Sequence, residues 1–171
     1  TKSFGLIEVD ITRGNLNPLP VAVSPLSIDE ESRKNFENIL KKKNIGSEIS
    51  SIVENNLRVS GLFNPLNKDA FLQAPDIANL KPRFEDWNLI KAQALITGKV
   101  SYVEEKLRVE FRLWDVLAGK EMMALAFTTV PNNWRRVGHI ITDKVYERLT
   151  GERGYFDTRI IYVAEEGPKT Q

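Results

Sequence analysis

The sequence predicts an α/β domain, and three observations support this fold class. Apolar and polar residues alternate over three consecutive segments between 95 and 130, as in the strands of an antiparallel meander. Apolar residues recur every three or four positions over 47–60 and 134–149, which indicates helices with one buried face. The chain has 171 residues, 42% of them hydrophobic and 27% charged, which is typical of one domain with its own core.

The N-terminal residues predict two strands and a helix. Residues 4–13 alternate between polar and apolar side chains, the apolar ones being Ile7, Val9 and Ile11. Turn-forming residues over 14–18 end this strand pattern, and Val21–Val23 predicts a short buried strand. A helix is predicted over Ser27–Lys43, because it opens with the serine and glutamate spacing of a capping box. Its narrow apolar stripe indicates a peripheral position.

The middle of the chain predicts two helices with irregular segments between them. The first follows Ser47 and ends at Gly61, which is placed to adopt the left-handed conformation that terminates helices. Residues 62–66 predict a short extended segment. The stretch over 67–83 is predicted to be a loop because two prolines interrupt it. Phe84–Lys91 then predicts one short helix.

The C-terminal half predicts a three-stranded meander and a final helix. The strands are expected over Leu95–Val103, 107–114 and Glu121–Val130, and Gly98 in the first permits close approach of another backbone. The helix is expected to run from Trp134 to Leu149 and to end at Gly151. A further strand over Thr158–Val163 is predicted to lie outside the compact domain, because it lacks an obvious partner strand.

Charge and residue usage exclude several functional classes. The 24 Lys and Arg residues balance 23 Asp and Glu residues, whereas nucleic-acid-binding surfaces normally carry a basic excess. The chain has no cysteine and one histidine, His139, which excludes thiolate metal sites and any site with two imidazoles. The longest apolar run, Met122–Phe127, is far short of the roughly 20 residues that span a bilayer.

The cellular compartment stays open at this level. An absence of cysteine is compatible with the cytosol and with the periplasm. Thr1–Phe4 lack the apolar segment of a signal peptide, which indicates either a cytosolic chain or a mature chain after processing.

His139 is the strongest candidate for catalysis, but a structural role is favoured. Arg136 and Asp143 lie at helical spacing beside it, so Asp143 could hold an imidazolium. The helical wheel places His139 opposite the apolar face, and no nucleophile or second base is nearby in sequence. We therefore predict no catalytic residue and no metal site.

Other chemical candidates are better explained by structure. The carboxylate pairs Glu85–Asp86 and Glu104–Glu105 lie on a helix and in a turn, where adjacent side chains point apart. Gly151–Gly154 lacks the lysine of a phosphate-binding loop and follows a helix instead of preceding one. Isolated tryptophans in a domain of this size are usually packing residues, and the chain has three: Trp87, Trp114 and Trp134.

Several segments occur in an order that is specific for one family. They are a helix that ends in Ser-Gly before a short strand, two strands of the meander and the middle of the last helix: Leu57–Leu66, Leu95–Val100, Val109–Val116 and Gly138–Glu147. Thr158–Val163 matches the strand that enters a β-propeller in that family. Over nearly its whole length, the chain resembles the N-terminal domain of TolB, the periplasmic component of the Tol–Pal system.

The resemblance implies a mixed β-sheet with flanking helices, similar to anticodon-binding-like domains. It divides the chain into an N-terminal TolA-binding segment or strand at 1–13, an α/β domain at 14–156 and the start of a truncated β-propeller at 157–171. The predicted helix Ser27–Lys43 is a departure, because it is longer than the family has at that point. Its role is unassigned.

The resemblance also implies a function. Family members are non-enzymatic periplasmic adaptors, made with a signal peptide, that support outer-membrane integrity and invagination during cell division. Bacteriocins enter cells through the same system. TolA is the expected partner, whereas Pal binds the propeller and is not expected to bind this chain. We expect a monomer with no cofactor, no bound nucleic acid and no insertion into the membrane.

The N-terminal segment is the expected TolA-binding site. The resemblance places the contacts on Phe4, Leu6, Ile7, Glu8, Val9, Asp10, Ile11 and Thr12. The alternating pattern agrees with this, because a strand at a chain terminus can leave its own sheet and add to that of a partner. The alternative is that the segment is an ordinary edge strand of this domain. The two interpretations are compatible if the segment docks on the domain in one state and is released to TolA in another.

A nucleic-acid-binding module is the alternative from another functional class. The architecture that the resemblance implies also occurs in domains that recognise tRNA. The near-neutral charge of the chain disfavours RNA binding, because such proteins neutralise phosphates with a basic excess. An RNA-binding function therefore ranks second to the adaptor function.

Overall fold

The computed structural model describes residues 7–9 and 17–157, which contribute six strands and five α-helices. The strands are β1 Leu19–Val23, β2 Ser27–Ile28, β3 Phe63–Pro65, β4 Ala94–Val103, β5 Lys106–Asp115 and β6 Lys120–Thr129. The helices are α1 Glu30–Leu40, α2 Ile45–Val59, α3 Pro75–Leu80, α4 Phe84–Leu89 and α5 Trp134–Thr150, with 3₁₀ turns at Lys68–Ala70 and Pro131–Asn133. None of these helices has the length and apolar character needed to cross a membrane.

The sheet is mixed, which confirms the expected fold class. Its strand order is β3-β1-β4-β5-β6, and β2 pairs with β4 beside this path. β1 runs parallel to β3 and to β4, and β2 runs parallel to β4. β4, β5 and β6 form the predicted antiparallel meander. Parallel pairs at one side and a meander at the other give the sheet its mixed character.

Two short features allow the long strands of the meander to pair closely. Glu104 and Glu105 turn the chain between β4 and β5 with φ of 52° and 66°, the left-handed pair that a two-residue hairpin turn requires. Gly98 lies opposite Phe111 in β5, and a Cβ at Gly98 would come within 2.6 Å of Glu110 O. The close backbone approach predicted at Gly98 is therefore confirmed.

Helices cover both faces of the sheet because its central strands bury alternate residues on opposite sides. In β1, Val21 and Val23 belong to the main core, and the intervening Ala22 belongs to a second core. The main core includes Phe36 of α1 together with the apolar faces of α2 and α5. The second core is smaller and is built around Trp87 of α4. The helices α1, α2 and α5 thus lie on one face, and α3 and α4 lie on the other.

Glycines end the two longest helices, as the sequence predicted. Gly61 and Gly151 both have φ of 79°, which places them in the left-handed region that glycine adopts without steric cost. The start of α2 is earlier than predicted. Asn44 accepts a hydrogen bond from Ser47 N–H and begins the helix at Ile45.

The helix predicted over Ser27–Lys43 is wrong at both ends, since α1 stops at Leu40 and Lys41 is its C-cap with φ of 59°. Ser27–Ile28 forms β2, which pairs with Lys99–Val100, and the helix begins at Glu30. Asp29 is the N-cap, since its carboxylate accepts from Ser32 N–H at 2.7 Å. The capping-box interpretation failed because Asp29 takes the N-cap role, while Ser27 and Ile28 pair with β4.

The loop predicted over 67–83 is also wrong in part. Pro75 does not interrupt structure there, because it occupies the first turn of α3, where a missing N–H costs nothing. A 3₁₀ turn covers Lys68–Ala70. The strand predicted over Thr158–Val163 lies outside the described residues.

Asp29→Ala is expected to lower the free energy of unfolding by about 1 kcal/mol at pH 7, since Ser32 N–H loses its cap acceptor. This backbone hydrogen bond lowers the pKa of Asp29, so folding favours the carboxylate. The stabilisation is present above the pKa of the unfolded chain and is lost as the pH falls through the folded pKa, below about 4. Urea denaturation of both proteins should give curves that converge in acid. A constant difference down to about pH 3 would contradict the cap.

Candidate functional site

The described part of the N-terminal segment, residues 7–9, lies against the end of α5. Val9 N–H donates a hydrogen bond to Leu149 C=O over 2.7 Å, and Ile7 and Val9 are half-buried against the main core. The predicted strand is wrong at these three residues, which belong to no strand. The last carbonyls of a helix lack intrahelical partners, so Leu149 C=O offers an acceptor away from the sheet. The other predicted partner-binding residues lie outside the described residues or, for Glu8, are exposed: Phe4, Leu6, Glu8, Asp10, Ile11 and Thr12.

The segment after α5 returns along the same helix. Three of its backbone N–H groups donate to carboxylates of α5: Gly154 to Glu147 at 3.1 Å, and Phe156 and Asp157 to Asp143 at 2.8 and 3.1 Å. An ion pair of 3.0 Å between Arg136 and Asp157 extends this contact towards the start of the helix. Glycine is required at Gly154, because a Cβ there would come within 2.5 Å of Asp143 Oδ1.

An aromatic cluster lies between the returning segment and the core. Tyr146 of α5 meets Tyr155, Phe156 and Phe63 in edge contacts with ring centroids 5.4, 5.8 and 6.4 Å apart. Tyr155 and Phe156 stack on each other at 4.2 Å. Burial raises the pKa of Tyr146, with smaller contributions from Tyr155 and Glu152. The second half of α5 therefore contacts both ends of the described chain.

Sequence reasoning missed these roles of α5. Asp143 and Glu147 are four residues apart and so share one helix face, and Gly151 and Gly154 follow within reach. This spacing is the signal that could have predicted a returning segment held by two carboxylates. The hydrogen bond from Val9 to Leu149 C=O could not be predicted, because every residue has a backbone carbonyl and the sequence does not mark one as an acceptor.

His139 has a structural partner that the sequence did not suggest. Its Nδ1 lies 2.9 Å from Asn56 Nδ2 of α2. Asp143, which the sequence offered as a possible partner of His139, instead accepts from the backbone of the returning segment. The possible acid–histidine pair is therefore not formed, and His139 joins α5 to α2.

The carboxylate pairs do not converge on a site. Asp86 forms an ion pair of 2.8 Å with Arg83, three residues before it. Glu104 and Glu105 occupy the turn between β4 and β5. Within the ranges 7–9 and 17–157, the acidic and histidine side chains form no cluster that could hold a metal ion.

The tryptophans pack against the protein itself. Trp87 is 1% exposed, and its Nε1–H donates to Gln73 Oε1 at 2.8 Å. Trp134 is buried at the start of α5, and Trp114 donates to Thr97 Oγ1 at 2.9 Å. The prediction of packing roles is confirmed for these three residues.

Comparison with known proteins gives one family. The family model described as the TolB amino-terminal domain matches residues 7–122. A curated relative, the Tol-Pal system protein TolB of Pelagibacter ubique (strain HTCC1062), is 84% identical over 170 residues. The match covers 99% of this chain and 38% of the relative, so the chain spans well under half the length of that protein.

A solved structure has the same fold. TolB from Acinetobacter baumannii superposes with a TM-score of 0.66 over 89% of this chain and 33% of that chain. The two sequences are 20% identical in this alignment, so the likeness concerns the fold alone. Taken with the match over residues 7–122, the mixed sheet and its flanking helices lead to one assignment. The chain belongs to the TolB amino-terminal domain family of the Tol–Pal system.

Proposed function

We propose that this chain is a non-enzymatic adaptor of the Tol–Pal system in the periplasm and that it binds TolA through its N-terminal segment. The observation that carries the proposal is the way residues 7–9 contact the domain. They lie against α5 through the hydrogen bond between Val9 and Leu149 and through two half-buried side chains, without joining the sheet. A segment held in this way can leave its position without breaking a strand ladder.

Strand addition is the mode of binding that fits this segment. Its alternating side chains would present Ile7, Val9 and Ile11 on one side of an added strand, and its backbone would pair with an edge strand of TolA. The docked state competes with this pairing, because Val9 N–H is already bonded to Leu149 C=O. Binding to TolA therefore selects the released state of the segment.

The remaining parts of the chain have supporting roles in this proposal. In this proposal residues 14–156 are the domain that holds the segment, and 157–171 are the start of a β-propeller, the part that binds Pal in this family. Linking TolA to Pal across the envelope supports outer-membrane integrity and invagination during division. The supporting observation is the relationship to a Tol-Pal protein of which this chain spans 38%.

The contacts of the histidine support a non-enzymatic role. General base catalysis by histidine needs a ring nitrogen near a nucleophile and usually an acid that orients the ring. In the described part of the chain, His139 contacts Asn56, and Asp143 is occupied by backbone N–H groups. These groups hold helices and the returning segment together.

A pull-down on the immobilised periplasmic domain of TolA tests this function. The wild-type chain should be retained, and a variant with both Ile7→Asp and Val9→Asp should be lost, since carboxylates replace the apolar contacts of the strand. The matched control carries Val59→Asp and Leu89→Asp at sites 72% and 71% exposed. The control should be retained. Retention of the Ile7 and Val9 variant, or equal loss of the control, would contradict the proposed site.

A further inference from the structure

A groove of about 540 Å³ runs between α2 and α5 on the outer side of the helix layer. Its lining combines two apolar side chains, Ile52 and Trp134, with six polar or charged ones: Glu48, Ser51, Asn55, Asn56, Arg135 and His139. The α2 residues from Glu48 to Asn56 span eight positions, which is about 12 Å of helix. A groove of this length accommodates three or four residues of an extended peptide.

Hydrogen bonds behind the groove fix the orientation of His139. Thr142 Oγ1–H donates to Gly138 C=O at 2.8 Å, so the same oxygen accepts from Asn56 Nδ2 at 3.2 Å. This contact orients the amide of Asn56 with its nitrogen towards His139 Nδ1 at 2.9 Å. With Asn56 Nδ2 as the donor, Nδ1 accepts this hydrogen bond and Nε2 carries a ring proton. His139 thus lines the groove as an oriented hydrogen-bond donor.

The groove also carries positive charge. The exposed Arg135 guanidinium lies over the Trp134 ring at 4.3 Å, in a cation–π contact that favours this orientation. Lys42 lies over the same ring at 5.5 Å and forms an ion pair of 3.5 Å with Glu48, the acid at the end of the groove. Because the Lys42 ammonium neutralises the Glu48 carboxylate, the groove keeps the positive charge of Arg135. The groove also borders the first turn of α5, where the helix dipole favours an anion.

We propose that this groove binds an acidic peptide segment of a partner protein, with a side-chain carboxylate held by Arg135 and His139. Arg135 supplies charge and a fork of N–H donors that suits a carboxylate, and His139 supplies the Nε2–H. Asn55 and Ser51 pair with the peptide backbone, for which an amide and a hydroxyl are suitable partners. The groove is separate from the contacts of residues 7–9, which lie at Leu149 on the same helix.

Nuclear magnetic resonance titration of the ¹⁵N-labelled 171-residue chain tests this proposal. The probe is the peptide acetyl-Ala-Glu-Glu-Ala-amide, and the matched control is acetyl-Ala-Gln-Gln-Ala-amide. The glutamate peptide should give saturable shifts at the Asn56 amide, the His139 ring and the backbone over 51–56 and 135–139. Its dissociation constant should be at least about tenfold lower than that of the glutamine peptide, since charge-assisted hydrogen bonds are lost in the control. Equal affinity of the two peptides would overturn the proposal.

Variants separate the groove from general electrostatic attraction. Arg135→Gln and His139→Gln should each weaken the glutamate peptide at least about fivefold. Arg148→Gln removes the same charge from an exposed position of the same helix and should change the affinity less than about twofold. Equal effects of Arg148→Gln and Arg135→Gln would contradict a defined site. Inorganic phosphate that binds as tightly as the peptide, with the same shifts, would also contradict a peptide site.

Discussion

Replacing Trp87 by alanine is expected to lower the free energy of unfolding by about 3–5 kcal/mol, because a large buried side chain leaves a cavity. Trp87 is 1% exposed and forms the centre of the second core with Ala22, Leu95 and Val116. The short helices α3 and α4 depend on this core for their contact with the sheet. Loss of the tryptophan side chain therefore removes most of the apolar contact that holds α3 and α4 against the sheet.

Denaturation followed by far-UV circular dichroism measures this effect without relying on tryptophan fluorescence. Trp87→Phe is the matched variant, since it keeps most of the apolar volume and loses the Nε1–H bond to Gln73. Gln73 Oε1 still accepts from Arg83 N–H at 2.8 Å, so the phenylalanine variant should lose only about 1–2 kcal/mol. A loss below about 1 kcal/mol for Trp87→Ala would show that the second core contributes little.

Gly138→Ala is expected to lower the free energy of unfolding by about 2 kcal/mol, although alanine is the better helix former by about 1 kcal/mol. A Cβ at Gly138 would come within 2.7 Å of Ile52 Cγ2 and 2.8 Å of Ile52 Cβ. At Gly138 the helices α2 and α5 therefore approach each other more closely than a residue with a Cβ would permit. The helices would have to separate, which would also disturb the contact between Asn56 and His139.

A double-mutant cycle with Ile52→Ala tests whether the contact with Ile52 causes the destabilisation by Gly138→Ala. In the Ile52→Ala background the Cγ2 atom is gone, so Gly138→Ala should cost less than in the wild-type chain. Gly151→Ala is the control, because a Cβ there would meet no atom within 4 Å and the cost comes from its φ of 79°. Its cost should be the same in both backgrounds. A stabilising Gly138→Ala would contradict the close helix contact.

Periodicity predicted the long elements, and it could not predict the short ones. The meander and the helices α2 and α5 have enough turns or alternations for their buried faces to be read from the sequence. β2 has two residues and β3 has three, and each exists because a neighbouring strand offers parallel hydrogen bonds. The start of α1 shows the same limit, since Ser27, the serine of the predicted capping box, pairs in β2 instead.

The candidate site was predicted in part. The alternating pattern over 4–13 indicated an element that can pair as a strand, and its described residues instead lie at the end of α5. Local pattern cannot distinguish these cases, because the acceptor is a backbone carbonyl 140 positions away along the chain. The actual partners of Asp143 were missed for a similar reason. Its partners are backbone N–H groups at Phe156 and Asp157, which have no side-chain signature.

Deletion of Thr1–Arg13 gives the most direct test of the proposal that this segment binds TolA. Calorimetric titration of the shortened chain with the periplasmic domain of TolA should give no binding, while the full chain gives a saturable heat. Far-UV circular dichroism and cooperative unfolding should be largely retained, because the sheet begins at Leu19 and does not include residues 7–9. Binding that survives the deletion in a folded chain would place the TolA site elsewhere on the domain.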